Sequence, residues 1–145
     1  MNARIAIVTT VDLLTLDVDE ELLLPHLPEA QVVAWDNPEV DWSQYEVALL
    51  RSPWNYTERL PEFLAWAERV SKVSRLHNPL DVIRWNTDKR YLADLAARGI
   101  PTVPTEFVAP GETVSAGALA GRVVVKPTVG AGSSGARLFH DDPAG

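Results

Sequence analysis

Residues 123–138, "VVVKPTVGAGSSGARL", set a lysine at the end of an apolar run and follow it with a loop of glycine, serine and alanine. A second apolar run, "ARLFH" (136–140), begins as that loop ends. Two short β-prone runs joined by a glycine-rich tip read as a β-hairpin. The pairing sets a cation beside a backbone that can approach a ligand closely, as a polyphosphate site requires. A strand-end lysine in solvent beside a plain hairpin tip fits the same letters. Glycines 130, 132 and 135 spell G-x-G-x-x-G, but a strand-like segment follows where the dinucleotide fingerprint needs a helix N-terminus. A Walker A loop is excluded as well, because Lys126 precedes the glycines. What remains is a flap between antiparallel strands that can fold over phosphates and donate N–H groups.

Upstream the rhythm differs. "RIAIVTT" (4–10), "QVVAW" (31–35) and "EVALLR" (46–51) are nearly continuous apolar runs, the pattern of parallel strands covered on both faces. "LPEFLAWAERVSK" (60–72) supplies a covering helix: Pro61 suits a first turn, and Phe63, Trp66 and Val70 recur at helical spacing. "DVDEELLLPHLPEA" (17–30) starts as a helix that Pro25 and Pro28 must shorten or kink, and a brief strand is expected around "SRLHN" (74–78). "NPLDVIRWN" (78–86) reads as a connection with one turn of its own. "TDKRYLADLAARGIP" (87–101) reads as a helix capped by Asn86 or Thr87 and ended by Gly99 and Pro101, with Tyr91, Leu92 and Leu95 on its buried side. An extended run, "TVPTEFV" (102–108), leads through a turn at "APGE" toward the hairpin.

The fold class expected is therefore α/β: a small parallel-sheet domain over 1–82, then a helix and hairpin over 83–145, with the boundary near 80–86. One helix and three strands are too few to close a second core. Residues 83–145 are thus expected to be the incomplete N-terminal part of a domain, in a fragment or in a chain that works with a partner.

Composition narrows the function. The chain has 145 residues, of which 46% are apolar, and its formal net charge is -7. With no basic run, nucleic acid is not an expected partner; a nucleotide needs only a few placed cations and N–H groups. Cysteine is absent, which excludes disulfides and thiolate chemistry, and His26, His77 and His140 show no ligand spacing. No segment approaches the roughly 20 apolar residues that span a bilayer, so no membrane association and a cytoplasmic location are expected. The oligomeric state is left open, homo-oligomers included.

A second cation joins the first. Lys89 is expected in the first turn of the 87–101 helix, where it opposes the helix dipole unless an anion neutralises it; an exposed helix lysine is the plainer reading. With both lysines in view, "NTDKRYLADLAARGIPTVPTEFV" followed by "VVVKPTVGAGSSGARLF" resembles the opening of an ATP-grasp fold. "VALLRSPWNYTERLPEFLAWAE" resembles the preceding substrate domain of the glutathione-synthetase/RimK-like branch, which includes a ligase that cyclises O-ureidoserine. The resemblance spans nearly the whole chain. It implies a pre-ATP-grasp domain over 1–82, ATP held by Lys89 and Lys126, and a phosphate flap of Gly130, Ala131, Gly132, Ser133, Ser134 and Gly135. It also implies ATP-dependent carboxylate–amine or cyclising ligation through an acyl phosphate, with a small carboxylate or amino-acid-like substrate. Mg²⁺ ligands are expected downstream of Gly145 and none in this chain, so these 145 residues alone are expected to be inactive. Asp141 and Asp142 do not match the metal positions.

Substrate contacts follow from topology, because ligands of open parallel sheets gather at the carboxyl ends of strands. Arg51 could fork onto a substrate carboxylate or pair with a nearby acid. Ser52, Trp54 and Tyr56 share its loop, and the aromatics there could instead pack on the neighbouring helix. Asp17 and Asp19 could bind an amino group or cap a helix; the branch often carries "DD" where this chain has "DVD" (17–19). The competing function class is a nucleotide- or small-molecule-binding module without chemistry.

Overall fold

A computed structural model describes residues 4–12, 18–114 and 121–140. The chain divides into two compact units, Met1–Arg84 and Trp85–Gly145.

The first unit is built on four strands, β1 (Ile5–Thr9), β2 (Ala30–Ala34), β3 (Val47–Leu50) and β4 (Arg75–His77), all parallel in the order β2-β1-β3-β4. The three apolar runs become the first three strands, with Ile5 opposite both Ala30 and Val47. Helix α1 (Val18–Leu23) passes into a 3₁₀ turn at Leu24–His26, since Pro25 offers no N–H to continue an α-helical ladder. Helix α2 (Leu60–Val70) buries Phe63, Trp66, Ala67 and Val70, the i, i+3, i+4, i+7 stripe of a core-facing helix.

Strand β1 shows why both faces need cover. Ala6 and Val8 lie in the core cluster with Phe63, Trp66 and Trp35, while Ile7, between them in the chain, is also fully buried. Successive side chains of a strand point to opposite faces, so Ile7 lies on the other one. Connections from β1 to β2 and from β3 to β4 run in opposite directions along the sheet, and right-handed crossovers put α1 and α2 on opposite faces. The switch in direction falls between β1 and β3, where the chains leaving their carboxyl ends diverge and open a crevice.

Beyond β4 the chain departs from expectation at three places. "NPLDVIRWN" yields a seven-residue helix, α3 (Leu80–Asn86), whose Ile83 is part of the first unit's own core. Asn86 therefore ends one helix instead of capping the next. Helix α4 begins only at Tyr91 and ends at Ala97, with no side-chain cap; the turn before it is held by Asp88, which accepts from the Arg90 N–H at 2.9 Å. Tyr91, Leu92 and Leu95 are half-buried. Residues 100–109 form no ladder among the described residues, so "TVPTEFV" is not a strand. The hairpin forms as read: β5 (Val123–Val125) pairs antiparallel with β6 (Arg137–Phe139), Val124 opposite Leu138.

Candidate functional site

In the first unit the chain leaving β3 turns across the end of β1. The N–H groups of Arg51 and Ser52 both donate to the Val8 carbonyl, at 3.2 and 3.1 Å, which fixes the two side chains at the crevice. There Asp19, Arg51, Ser52 and Trp54 line a cavity of about 120 Å³ together with Glu20. Arg51 reaches Asp19 at 3.4 Å, an ion pair with both partners accessible to solvent. Ser52 is 1% exposed; its hydroxyl donates to the Glu20 carboxylate and lies 3.1 Å from the Thr9 hydroxyl. Tyr56 packs on Phe63 with ring centroids 5.3 Å apart, while Trp54 stays half exposed. Asp17 falls outside the described residues.

Glu20 was not singled out from sequence, where it reads as one of several acids at a helix start. It is 1% exposed. Full burial of a glutamate calls for a dedicated partner, and Ser52 supplies one.

A second missed residue is Asp36, just past β2. Its carboxylate accepts from the Val11 N–H at 2.9 Å, the Asn55 amide at 2.8 Å and the Arg59 guanidinium at 2.9 Å. Asn55 in turn accepts from the Trp35 indole at 2.8 Å. One carboxylate thus ties the loop after β1 to the loop after β3, the two segments that carry the crevice. Burial opposes its ionisation, but the N–H of Val11, the Asn55 amide and Arg59 outweigh it and hold its pKa below the usual carboxylate value. A larger groove of about 580 Å³ runs along α2 past Trp42, Trp66 and Arg69. Several of its charges are satisfied within the fold: Arg59 pairs with Asp36 and Glu62, and Asp41 caps the Trp42–Gln44 turn.

In the second unit the two predicted lysines and the glycine loop come together. Lys126 follows the last residue of β5, and Lys89 lies in the turn before α4 and not in its first helical turn. The helix-dipole reason for an anion at Lys89 therefore falls away; what replaces it is direct contact with the loop. The Lys89 ammonium donates to the carbonyls of Gly130 at 2.8 Å and Thr128 at 3.3 Å, and its backbone N–H donates to Thr128 at 2.8 Å. Loss of solvent, then repulsion from Lys126, lowers the Lys89 pKa, partly offset by Asp88.

The loop itself is tightly turned. Ser134 N–H donates to Ala131 C=O at 3.0 Å across Gly132 and Ser133, with φ of 56° and 61°. Positive φ at both central residues is the pattern of a type I′ turn. Among the described residues, no partner is found for the N–H groups of Gly130, Ala131, Gly132 and Ser133. Gly135 has φ 69°, and a Cβ there would lie 2.9 Å from Pro127 Cγ. Gly135→Ala is expected to cost the loop about 1–2 kcal/mol from the left-handed backbone alone, with the clash added. Limited proteolysis should then cut within 127–136 faster while melting of the first unit is unchanged; Gly130→Ala, whose nearest neighbour would be 3.5 Å away, is the control. Equal cleavage of the two variants would contradict this.

Comparison with known proteins bears on both units. Residues 5–78 match the family model for the N-terminal domain of D-cycloserine synthetase DcsG. The chain belongs to the D-cycloserine synthetase N-terminal-domain family. It is 44% identical to the cycloserine biosynthesis protein DcsG of Streptomyces lavendulae, over 94% of this chain and 50% of that protein. The crystal structure of D-cycloserine synthetase DcsG superposes with a TM-score of 0.82 at 42% identity, again over 94% of this chain and 50% of that one. The chain thus spans half the length of these relatives. Within the D-cycloserine synthetase family match lie the parallel sheet, the crevice and Asp36. The lysines and glycine loop lie beyond residue 78, but an alignment over 94% of this chain necessarily includes them. Among the described residues no helix is long and apolar enough to cross a membrane, and no cluster of acids and histidines could hold a metal.

Proposed function

We propose that this chain carries the substrate domain and the phosphate-flap part of an ATP-grasp ligase of the glutathione-synthetase/RimK-like branch. Carboxylate activation through an acyl phosphate, followed by attack of an amine or ring closure, is the reaction assigned. The observation that carries the reading is the meeting of Lys89, Lys126 and the 130–135 loop, residues some 40 positions apart in sequence at one place in the second unit. Membership of a synthetase family and likeness to a cycloserine biosynthesis protein support ligation. The ammonium groups of both lysines, and the N–H groups of Gly130 to Ser133 for which no partner is found among the described residues, are donors of the kind that phosphate oxygens take. ATP, when bound, supplies the phosphoryl group. Mg²⁺ would require ligands other than those described, since no acid cluster lies among them.

The crevice of the first unit fits the head of an amino-acid-like substrate. Arg51 offers a fork for a carboxylate, and Asp19 offers an acceptor for an amino group. In that reading the Arg51–Asp19 pair opens and each partner takes one end of the zwitterion. An exposed pair contributes only about 0–1 kcal/mol, so opening it costs little.

Lys126→Ala is expected to weaken ATP binding at least about tenfold, the loss of one charge-assisted phosphate contact. Isothermal titration giving the wild-type affinity would reject the nucleotide assignment. In a longer parent protein, ATP binding without ADP release in the presence of Mg²⁺ and candidate amino acids would favour the alternative, a binding module without chemistry; these 145 residues alone are expected to release no ADP, and detectable turnover by them would overturn the reading.

A further inference from the structure

The contacts of Lys89 set a limit on what the glycine loop can do as it stands. In a planar trans peptide the C=O and the following N–H point in opposite directions. Because the Gly130 carbonyl is turned onto the Lys89 ammonium at 2.8 Å, the Ala131 N–H points away from it. The Thr128 carbonyl is likewise turned toward Lys89, by both its backbone and side-chain nitrogens, so the Val129 N–H points away too. An anion arriving at the Lys89 ammonium therefore meets two carbonyl oxygens, which repel it, in place of N–H donors, which would bind it.

Two nearby carbonyls are anchored differently. Thr128 C=O is held by a backbone N–H of Lys89, which an anion cannot withdraw, and Ala131 C=O is held by Ser134 N–H. Between these anchors the 130–131 peptide is fixed on its carbonyl side by the Lys89 ammonium, a group that an anion competes for. The residue at its start is Gly130, whose lack of a Cβ leaves its backbone the widest choice of dihedral angles.

We propose that Lys89 is a latch and a positioning residue: its ammonium holds the 130–131 peptide carbonyl-inward in the nucleotide-free protein. A phosphate oxygen that takes this ammonium releases the Gly130 carbonyl, and the peptide turns over to present the Ala131 N–H to the same phosphate. Lys89 thereby couples anion arrival to formation of the donor loop. No bond is made or broken beyond hydrogen bonds. The trigger rests on the nucleotide reading above; the latch itself does not.

The test uses protein labelled with ¹³C and ¹⁵N and compares wild type, Lys89→Met, Lys89→Arg and Lys126→Met. Without nucleotide, Lys89→Met should shift the Gly130 carbonyl resonance upfield and lower the Ala131 N–H order parameter from about 0.85 toward 0.6 or less. Lys89→Arg should restore much of both, and Lys126→Met should change neither. A Gly130 carbonyl unmoved in Lys89→Met, with the rest of the spectrum native, overturns the latch. In wild type, ATP should move the Gly130 carbonyl in the same direction as Lys89→Met does. If titration shows ATP bound and Gly130 does not move, the turnover of the peptide is wrong while the nucleotide site stands. If ATP does not bind but Lys89→Met responds, the latch stands and phosphate is not its trigger.

Discussion

Replacing Phe63 with alanine destabilises the first unit by about 3–5 kcal/mol, the range for removing a large buried ring from a core that cannot close over the gap. Phe63 is 2% exposed. Three rings enclose it: Trp35 edge-on at 5.2 Å, Trp66 stacked at 5.4 Å and Tyr56 tilted at 5.3 Å. These neighbours are held by their own contacts, Trp35 through its indole N–H to Asn55 and Trp66 against Trp42 at 5.1 Å, so little collapse into the cavity is available. Denaturant unfolding followed by tryptophan fluorescence reads the loss as a lower midpoint at unchanged slope. A loss below about 1 kcal/mol would mean that the cluster repacks as a fluid, contrary to dense aromatic contact.

Asp36→Ala is the second large effect, expected to cost about 1–3 kcal/mol at neutral pH because the part-buried Asn55 amide and the Val11 N–H both lose their acceptor. Its side chain is 4% exposed, whereas Arg59 is 40% exposed; the guanidinium can turn to water, which keeps the figure below that for a fully buried pair. The pH dependence has a definite sign. Asp36 titrates below its unfolded value in the folded protein, so its contribution is complete above the unfolded carboxylate pKa of about 3.9. It fades as pH falls below that value toward the folded pKa. Wild type and Asp36→Ala should therefore converge in stability as pH drops below about 4. A gap that stays constant from pH 7 to pH 3 would show that the carboxylate acts only as a spacer. Because Asp36 joins the loops after β1 and β3, the same variant should weaken binding of an amino-acid-like ligand at the crevice and leave ATP affinity at Lys126 unchanged.

The legibility of the chain differs by element. The apolar runs at 4–10, 31–35 and 46–51 are readable because a strand buried on both faces needs little beyond its own side chains to declare itself. Helix α2 is readable because four buried residues recur within eleven positions. One helix start differs from its reading: Asn86 and Thr87 look like caps, yet α3 runs through Asn86 and α4 begins at Tyr91. Ile83 finds a place in the core of the first unit, and that burial outweighs the local capping preference. "TVPTEFV" carries β-prone residues but finds no ladder among the described residues, since strand formation depends on a partner as much as on propensity.

At the candidate sites, residue type could be read and contact could not. Arg51, Ser52 and Trp54 are legible because strand order puts the loop after β3 at the ligand-facing end of the sheet. Glu20 and Asp36 are not, because each looks like an ordinary surface acid until Ser52, 32 positions away, or Asn55, 19 positions away, is brought against it. From its sequence alone this protein was determined to have a parallel α/β unit, a proline-shortened first helix and a lysine-bordered glycine hairpin, since periodicity, proline and glycine act over a few residues. Only the tertiary structure decided that Glu20 is buried on Ser52, that Asp36 joins two loops and that Lys89 holds the Gly130 carbonyl. Those are pairings across 19 to 41 positions, and no local preference encodes them.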